Sequence, residues 1–165
     1  MSVRSLPMHG VNLTDEWHTP PELVRPLGKF DLDPAASQIQ RQHFADVEYV
    51  YPEQDGRILP WRGRVWCNPP YSELMVWTRR FVTNDNGIFL VPARTETEWF
   101  RLLWKHCSGI FFTHRRINFI RGSTGEVGRQ QVYGSVFAAC GPNNLDALRD
   151  LPIPGTIVTG REIRN

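Results

Sequence analysis

Short apolar runs alternate along the chain with longer stretches in which apolar residues recur every three or four positions. The runs 65–67, 87–92, 109–113 and 132–140 carry almost no polar break, as expected of strands covered on both faces. Between them, Leu74, Trp77 and Phe81 fall at i, i+3 and i+7, and Trp99, Leu103 and Cys107 at i, i+4 and i+8. That spacing predicts two helices, each with one apolar face. Ser72 is the expected cap of the first, which runs to about residue 82. Thr95 with Glu98 reads as a capping box for the second, which runs to about residue 107. Strand, turn and helix thus alternate at least three times, the signature of a parallel α/β sheet.

The flanking segments extend this pattern. Thr19-Pro20 reads as N-cap and N1 of a helix, with Glu22 completing a capping box and Pro26 limiting the helix to a couple of turns. Residues 30–33 form a brief strand that breaks at Asp33-Pro34, and 47–51 a second. An acidic residue closing a first strand, followed by the small residues Pro34-Ala35-Ala36, is the general arrangement of nucleotide-binding α/β folds. No G-x-G-x-x-G accompanies it, so an ordinary Asp-Pro turn is the alternative. Residues 54–57 read as a turn containing Asp55. Asn144 is the expected cap of a short helix to about 150, and 156–159 a last edge strand. Residues 1–13 show no periodicity and read as a loose tail.

Composition narrows the class. A chain of 165 residues with 41% hydrophobic and 22% charged content is expected to fold as one soluble domain over 1–165. Its net charge of +2 permits nucleic-acid binding only through a local basic surface. One such stretch exists. Between residues 113 and 132 stand four arginines, Arg115, Arg116, Arg121 and Arg129, against the single acid Glu126, interleaved with glycines and hydroxyls. It reads as a basic loop or hairpin, either merely solvated or phosphate-gripping. Cys67, Cys107 and Cys140 form no C-x-x-C pair, so no metal site is expected. They read as reduced, buried thiols of a cytosolic protein. The sequence shows neither a signal peptide nor an apolar run of about 18 residues, so no membrane span is expected.

The richest chemistry lies where the strand 65–67 runs into Asn68-Pro69-Pro70-Tyr71. Two consecutive prolines fix their own φ and donate no hydrogen bond, and the first pushes Asn68 toward an extended backbone. The result is a stiff turn with an amide before it and a ring after it. Such a turn suits a flat, amino-bearing group: the Asn68 side-chain oxygen accepts one N–H, the Pro69 carbonyl accepts the other, and Tyr71 stacks. A turn that merely ends a strand is the alternative.

Taken together, the segments 17–21 (Trp-His-Thr-Pro-Pro), 31–36 (Asp-Leu-Asp-Pro-Ala-Ala) and 66–71 (Trp-Cys-Asn-Pro-Pro-Tyr) resemble the phage-type Dam DNA adenine methyltransferases in order and spacing. Residues 92–100 and 116–119 resemble that family as well, so the likeness spans roughly residues 15–140. It implies a compact Rossmann-like α/β methyltransferase fold, with a mostly parallel central sheet and helices on both faces. It also implies S-adenosylmethionine as cofactor and methyl transfer to the exocyclic amine of adenine in double-stranded DNA, in the cytoplasm of a bacterial host and from a phage or prophage gene. By the same resemblance, Asn68, Pro69, Pro70 and Tyr71 are the catalytic motif. Trp17, Thr19, Pro20, Asp33, Pro34, Ala35, Asp55 and Asn68 are cofactor-binding, with Asp55 facing the cofactor's adenine. Arg94, Arg115, Arg116, Arg121 and Arg129 are DNA-binding, and the implied mechanism uses no metal. The chain departs from the family at Gln38-Ile39-Gln40-Arg41, where relatives tend to carry an Asn, which leaves Glu48 or Glu53 as the ribose ligand. Three rival readings keep the fold: methylation of RNA, methylation of a protein glutamine amide, and DNA binding without catalysis.

Overall fold

The computed structural model describes residues 17–39, 41–128 and 132–160. In chain order the elements are β1 (Trp17–His18), α1 (Pro21–Val24), β2 (Phe30–Asp33), β3 (Ala45–Glu48), β4 (Val65–Cys67), α2 (Leu74–Asn84) and β5 (Gly87–Pro92). They continue with α3 (Glu98–His106), β6 (Gly109–Thr113), β7 (Ile120–Arg121), β8 (Ser135–Cys140), α4 (Pro142–Ala147) and β9 (Gly155–Val158). Short 3-10 turns follow α1 and α4 and precede α2.

Seven strands form one sheet in the order β3-β2-β4-β5-β8-β6-β9, and β1 pairs with β7 in a separate two-stranded sheet. The sheet is mixed rather than mostly parallel by its pairings. The pairs β2–β3, β2–β4 and β4–β5 are parallel, whereas β5–β8, β8–β6 and β6–β9 are antiparallel. Five strands still share one direction, and β8 and β9 oppose them. Burial explains why the sequence hides this. All six residues of β8 are buried, as are all six of parallel β5, so both read as continuous apolar runs. Coverage of both faces, not strand direction, sets that pattern.

Alternate residues feed two cores. On one face Leu74, Trp77 and Phe81 of α2 and Trp99, Phe100 and Leu103 of α3 pack on Val65, Cys67, Phe89 and Val91. On the other, Leu23, Val24 and Leu27 with Leu148 and Leu151 pack on Trp66, Ile88, Leu90 and Phe137. Helices therefore cover both faces, as the resemblance implies. The three cysteines are buried free thiols, and Cys107 Sγ lies 3.1 Å from Cys140 Sγ. Among the described residues no helix is long and apolar enough to cross a membrane, and no group of three or more His, Cys, Asp or Glu is placed to hold a metal ion.

The helix starts differ from those the sequence predicts. Pro20, not Thr19, is the N-cap of α1, and no side chain caps it, because the Thr19 hydroxyl is engaged elsewhere. Residues 71–73 wind as a 3-10 turn, so α2 begins at Leu74 without a Ser72 cap. Thr97 replaces Thr95 as the cap of α3, its hydroxyl accepting from Phe100 N at 3.4 Å. Asn144 lies inside α4, buried, and donates to Cys140 O and Asn86 Oδ1. A hydroxyl or amide in the right sequence window is only a cap when no better-placed partner claims it.

Candidate active site

The chain runs outward from β2 to β3, then returns to β4 on the other side of β2. Connections leave β2 and β4 in opposite directions, which opens a crevice at the carboxyl ends of the strands. A small solvent-open cleft lies there, with a cavity volume of about 50 Å³, and Trp17, His18, Thr19, Asp33, Glu48 and Asn68 are among the residues lining it. Asp33 is the last residue of β2, Glu48 the last of β3, and Asn68 the first beyond β4.

Two carboxylates therefore meet at neighbouring strand ends, Asp33 and Glu48 being register partners. Asp33 is buried, and its Oδ1 accepts from Ala35 N at 3.0 Å, closing an Asx turn over Pro34. Asp33-Pro34 is thus a turn, and Asp33 and Ala35 on either side of Pro34 line the cleft. Burial raises the Asp33 carboxyl to about 7, with the Ala35 bond opposing and the Glu48 charge adding to the rise. The Glu48 carboxylate contacts His43 Nδ1 at 3.2 Å.

Asn68 is held by its amide nitrogen. Nδ2 donates to Thr19 Oγ1 at 3.1 Å and, more weakly, to the Trp17 carbonyl at 3.5 Å. A carbonyl only accepts, so this contact fixes which way the amide points. Oδ1 takes no hydrogen bond from a described residue, and Asn68 lines the cleft. Pro69 is buried and Pro70 exposed. Tyr71 is half-buried against the core beneath α2, and burial raises its phenol well above the ordinary range. Of this motif only Asn68 lines the cleft, while the Tyr71 ring packs against the core.

The Asp55 turn packs against the Pro34 turn so closely that a Cβ at Gly56 would fall 1.9 Å from Pro34 O. Asp55 does not line the cleft. Its carboxylate is bonded by Arg57 Nε at 2.9 Å and lies below the ordinary carboxylate range because of that guanidinium. Among the sequence-predicted cofactor residues, Trp17, Thr19, Asp33, Ala35 and Asn68 line the cleft, whereas Pro20, Pro34 and Asp55 sit behind or beside it.

The arginines reach the same edge of the sheet. Arg94 follows the end of β5, and Arg115 and Arg116 follow the end of β6, two strands that run in the direction of β4. Arg115 and Arg116 are exposed. Arg94 bonds Glu96 at 3.0 Å and lies over the Tyr133 ring. Arg121, on β7, lies over the Trp17 ring, 5.2 Å from its centroid. The expected basic loop is in part a hairpin closed by Arg121 N→Glu126 O and Gly128 N→Phe119 O, and its Ile117 and Phe119 are buried. Arg129 and the 1–13 tail lie outside the described residues.

Three features of the site depend on contacts that sequence spacing does not carry. His18 lines the cleft and shares a 2.8 Å hydrogen bond with Ser37. Glu48, one of two alternatives above, is the one that lines the cleft beside Asp33. Thr19 was read as a helix cap and serves Asn68 instead. The pairing of β2 with β3 would have found Glu48, since both acids end short strands, but register is not visible without the sheet.

Residues 9–144 match the family model for DNA N-6-adenine-methyltransferase (Dam). No curated protein and no solved structure matches the chain.

Proposed function

Since the chain belongs to the DNA N-6-adenine-methyltransferase (Dam) family, we propose that it moves a methyl group from S-adenosylmethionine to the N6 amine of an adenine turned out of double-stranded DNA. The observation that carries this reading is the Asn68 amide. Its Nδ2 donates to Thr19 Oγ1 and, more weakly, to the Trp17 carbonyl, and Oδ1, just before a rigid Pro-Pro turn, takes no hydrogen bond from a described residue.

The cleft suits the cofactor. Asp33 and Glu48 place two carboxylates at one strand edge, which favours a ligand that brings a positive charge and hydroxyl donors. An amino-acid ammonium, a sulfonium and a ribose provide both. Trp17, Thr19 and Ala35 would hold it with Asp33, and the Asp55–Gly56 turn, outside the cleft, would buttress the Pro34 turn from the side. When bound, S-adenosylmethionine supplies an electrophilic methyl group.

The protein's part is to make the target amine a nucleophile. Its lone pair is delocalised into the purine ring. Asn68 Oδ1 accepts one N–H and the Pro69 carbonyl the other, which favours a tetrahedral nitrogen and aims its lone pair. The gain comes from positioning and from preorganised dipoles. A base inside a duplex cannot reach such a rim, so it must leave the stack, and Tyr71 stacks on it once out. Arg94, Arg115, Arg116, Arg121 and Arg129 contact the flanking backbone or bases.

The test uses the full chain with labelled S-adenosylmethionine and, in parallel, unmethylated duplex DNA, RNA and protein. Labelled N6-methyladenine in the duplex is expected. Label only in RNA, or only in a glutamine amide, would move the reading to that substrate, and cofactor binding without transfer to any of them would overturn it.

A further inference from the structure

Asn68 sits on a short segment outside regular structure, followed by two prolines that donate nothing. The two orientations of its amide are nearly equal in shape, yet only one presents Oδ1 to the cleft. Something must choose between them.

We propose that the small β1–β7 sheet is the device that chooses: residues 119–128 seat Trp17, and Trp17 with Thr19 sets the orientation of the Asn68 amide. The inference rests on the reading of Asn68 Oδ1 as the acceptor for the target amine. It makes Thr19, Trp17 and Gly128 positioning residues for methyl transfer.

The chain of contacts is continuous. Thr19 Oγ1 takes one amide hydrogen at 3.1 Å, but a hydroxyl can donate as well as accept and so tolerates either orientation. The Trp17 carbonyl, at 3.5 Å, does not: an amide oxygen turned toward it would meet a second oxygen lone pair. The carbonyl supplies the choice and Thr19 the stronger grip.

The position of that carbonyl depends on the hairpin. Trp17 pairs with Arg121 and His18 with Ile120, antiparallel. The Trp17 ring is enclosed by the Arg121 guanidinium on β7 and by the backbone of Gly128 on the returning arm. A Cβ at Gly128 would fall 1.7 Å from the ring carbon Cζ3 and 2.3 Å from Cη2. The ring fits only because residue 128 lacks a side chain. The hairpin is itself anchored, since Phe119 and Ile117 are buried in the core beside α1 and Gly128 N donates to Phe119 O at 2.8 Å. A displaced ring must shift the backbone of a two-residue strand, and that backbone bears the carbonyl facing Asn68. The exposed Arg121 therefore belongs to the same rigid unit as the catalytic amide.

Thr19→Val, Thr19→Ser and Gly128→Ala test this in the full chain, with two readouts. The first is the 15N side-chain amide signal of Asn68, assigned by its loss in Asn68→Ser. It is expected to be shifted and slow to exchange with solvent in the unaltered protein. In Thr19→Val and Gly128→Ala it should move and exchange faster, and in Thr19→Ser it should return. The second is steady-state methylation. We expect kcat to fall about tenfold or more in both variants, and in Gly128→Ala, which alters no residue assigned to the cofactor, KM for the cofactor should stay within about threefold, the split of a residue acting in the transition state. Thr19→Ser should recover most of kcat. Should Gly128→Ala fail to fold, Trp17→Phe reads the same link by loosening the ring against residue 128.

An Asn68 signal unchanged in Thr19→Val and Gly128→Ala would overturn the proposal. So would a lowered Tm with kcat intact. If the unaltered protein methylates no DNA, the functional reading fails on its own, and the amide signal still decides whether the hairpin holds Asn68.

Discussion

Asp33 and Glu48 are register partners at the carboxyl ends of adjacent parallel strands, and both line the cleft. Burial, with the Glu48 charge adding, raises the Asp33 carboxyl from its ordinary 3.8 to about 7. The folded protein therefore holds this proton more tightly than the unfolded chain. The stabilisation is complete below about pH 4 and is lost as pH rises through about 7. The ligand-free protein should accordingly lose Tm between about pH 4 and 7. Asp33→Asn retains an oxygen for the Ala35 bond and removes the buried charge. It should flatten that decline and raise stability at pH 8 by about 1–3 kcal/mol, while weakening cofactor binding. Calorimetric Tm against pH checks it, and parallel profiles for the two proteins would contradict it.

The open acceptor at Asn68 and the ring at Tyr71 separate by mutation. If the proposed mechanism holds, Asn68→Ala removes one of two acceptors for the target amine and should lower kcat by about 10²–10³-fold. Binding of the demethylated cofactor product should change only a few-fold. Tyr71→Phe keeps the stacking face and should stay near the unaltered rate, whereas Tyr71→Ala loses a base–aromatic contact of about 1–3 kcal/mol. Single-turnover rates with binding calorimetry distinguish these outcomes. A Tyr71→Phe variant as impaired as Tyr71→Ala would assign the phenol, not the ring, to the reaction.

Much of this was visible in the sequence because the relevant physics is local. The i, i+3, i+7 spacing of Leu74, Trp77 and Phe81 marks the buried face of α2, and Asn68-Pro69-Pro70-Tyr71 states its stiffness in its own residues. What the sequence hid depends on contacts between distant segments. The antiparallel insertion of β8 leaves no trace in a strand whose two faces are equally covered. Thr19 precedes two prolines and so imitates a helix cap, while its true partner lies 49 residues away. Asn144 imitates a cap for the same reason, and burial inside α4 gives it different bonds.

The exposed arginines at the carboxyl edge predict a salt signature. Each phosphate contact removed should reduce the slope of log affinity against log salt by about 1. Arg115→Ala with Arg116→Ala should lower it by about 2, with nearly the same loss on any duplex sequence. Arg94→Ala should change the slope less, because Glu96 and Tyr133 already hold its guanidinium. Fluorescence anisotropy across a salt series measures both. An unchanged slope in the double variant would place the DNA elsewhere on the surface.

Stability and site chemistry should separate at Arg64, at the edge of the sheet opposite the cleft, just before β4. Its guanidinium donates to Asn144 Oδ1 at 2.6 Å, Lys29 O at 2.7 Å and Leu27 O at 2.7 Å, and lies 4.2 Å from the centroid of the Phe30 ring. One side chain thus ties the segment after α1 to the start of β4 and to α4. Burial lowers its pKa, with Asp31 opposing the shift. Arg64→Met keeps much of the stem packing but leaves two carbonyls and the Asn144 oxygen without this donor. We predict a loss of about 2–4 kcal/mol. Arg64→Lys should recover only part of it, because a point charge cannot span three acceptors that a planar fork reaches. Affinity for the demethylated cofactor product should stay within about twofold of the unaltered protein, since no cleft residue depends on Arg64. Urea unfolding with calorimetry on the same samples is the check. A variant of normal stability and impaired binding would reverse the assignment and make Arg64 part of the site.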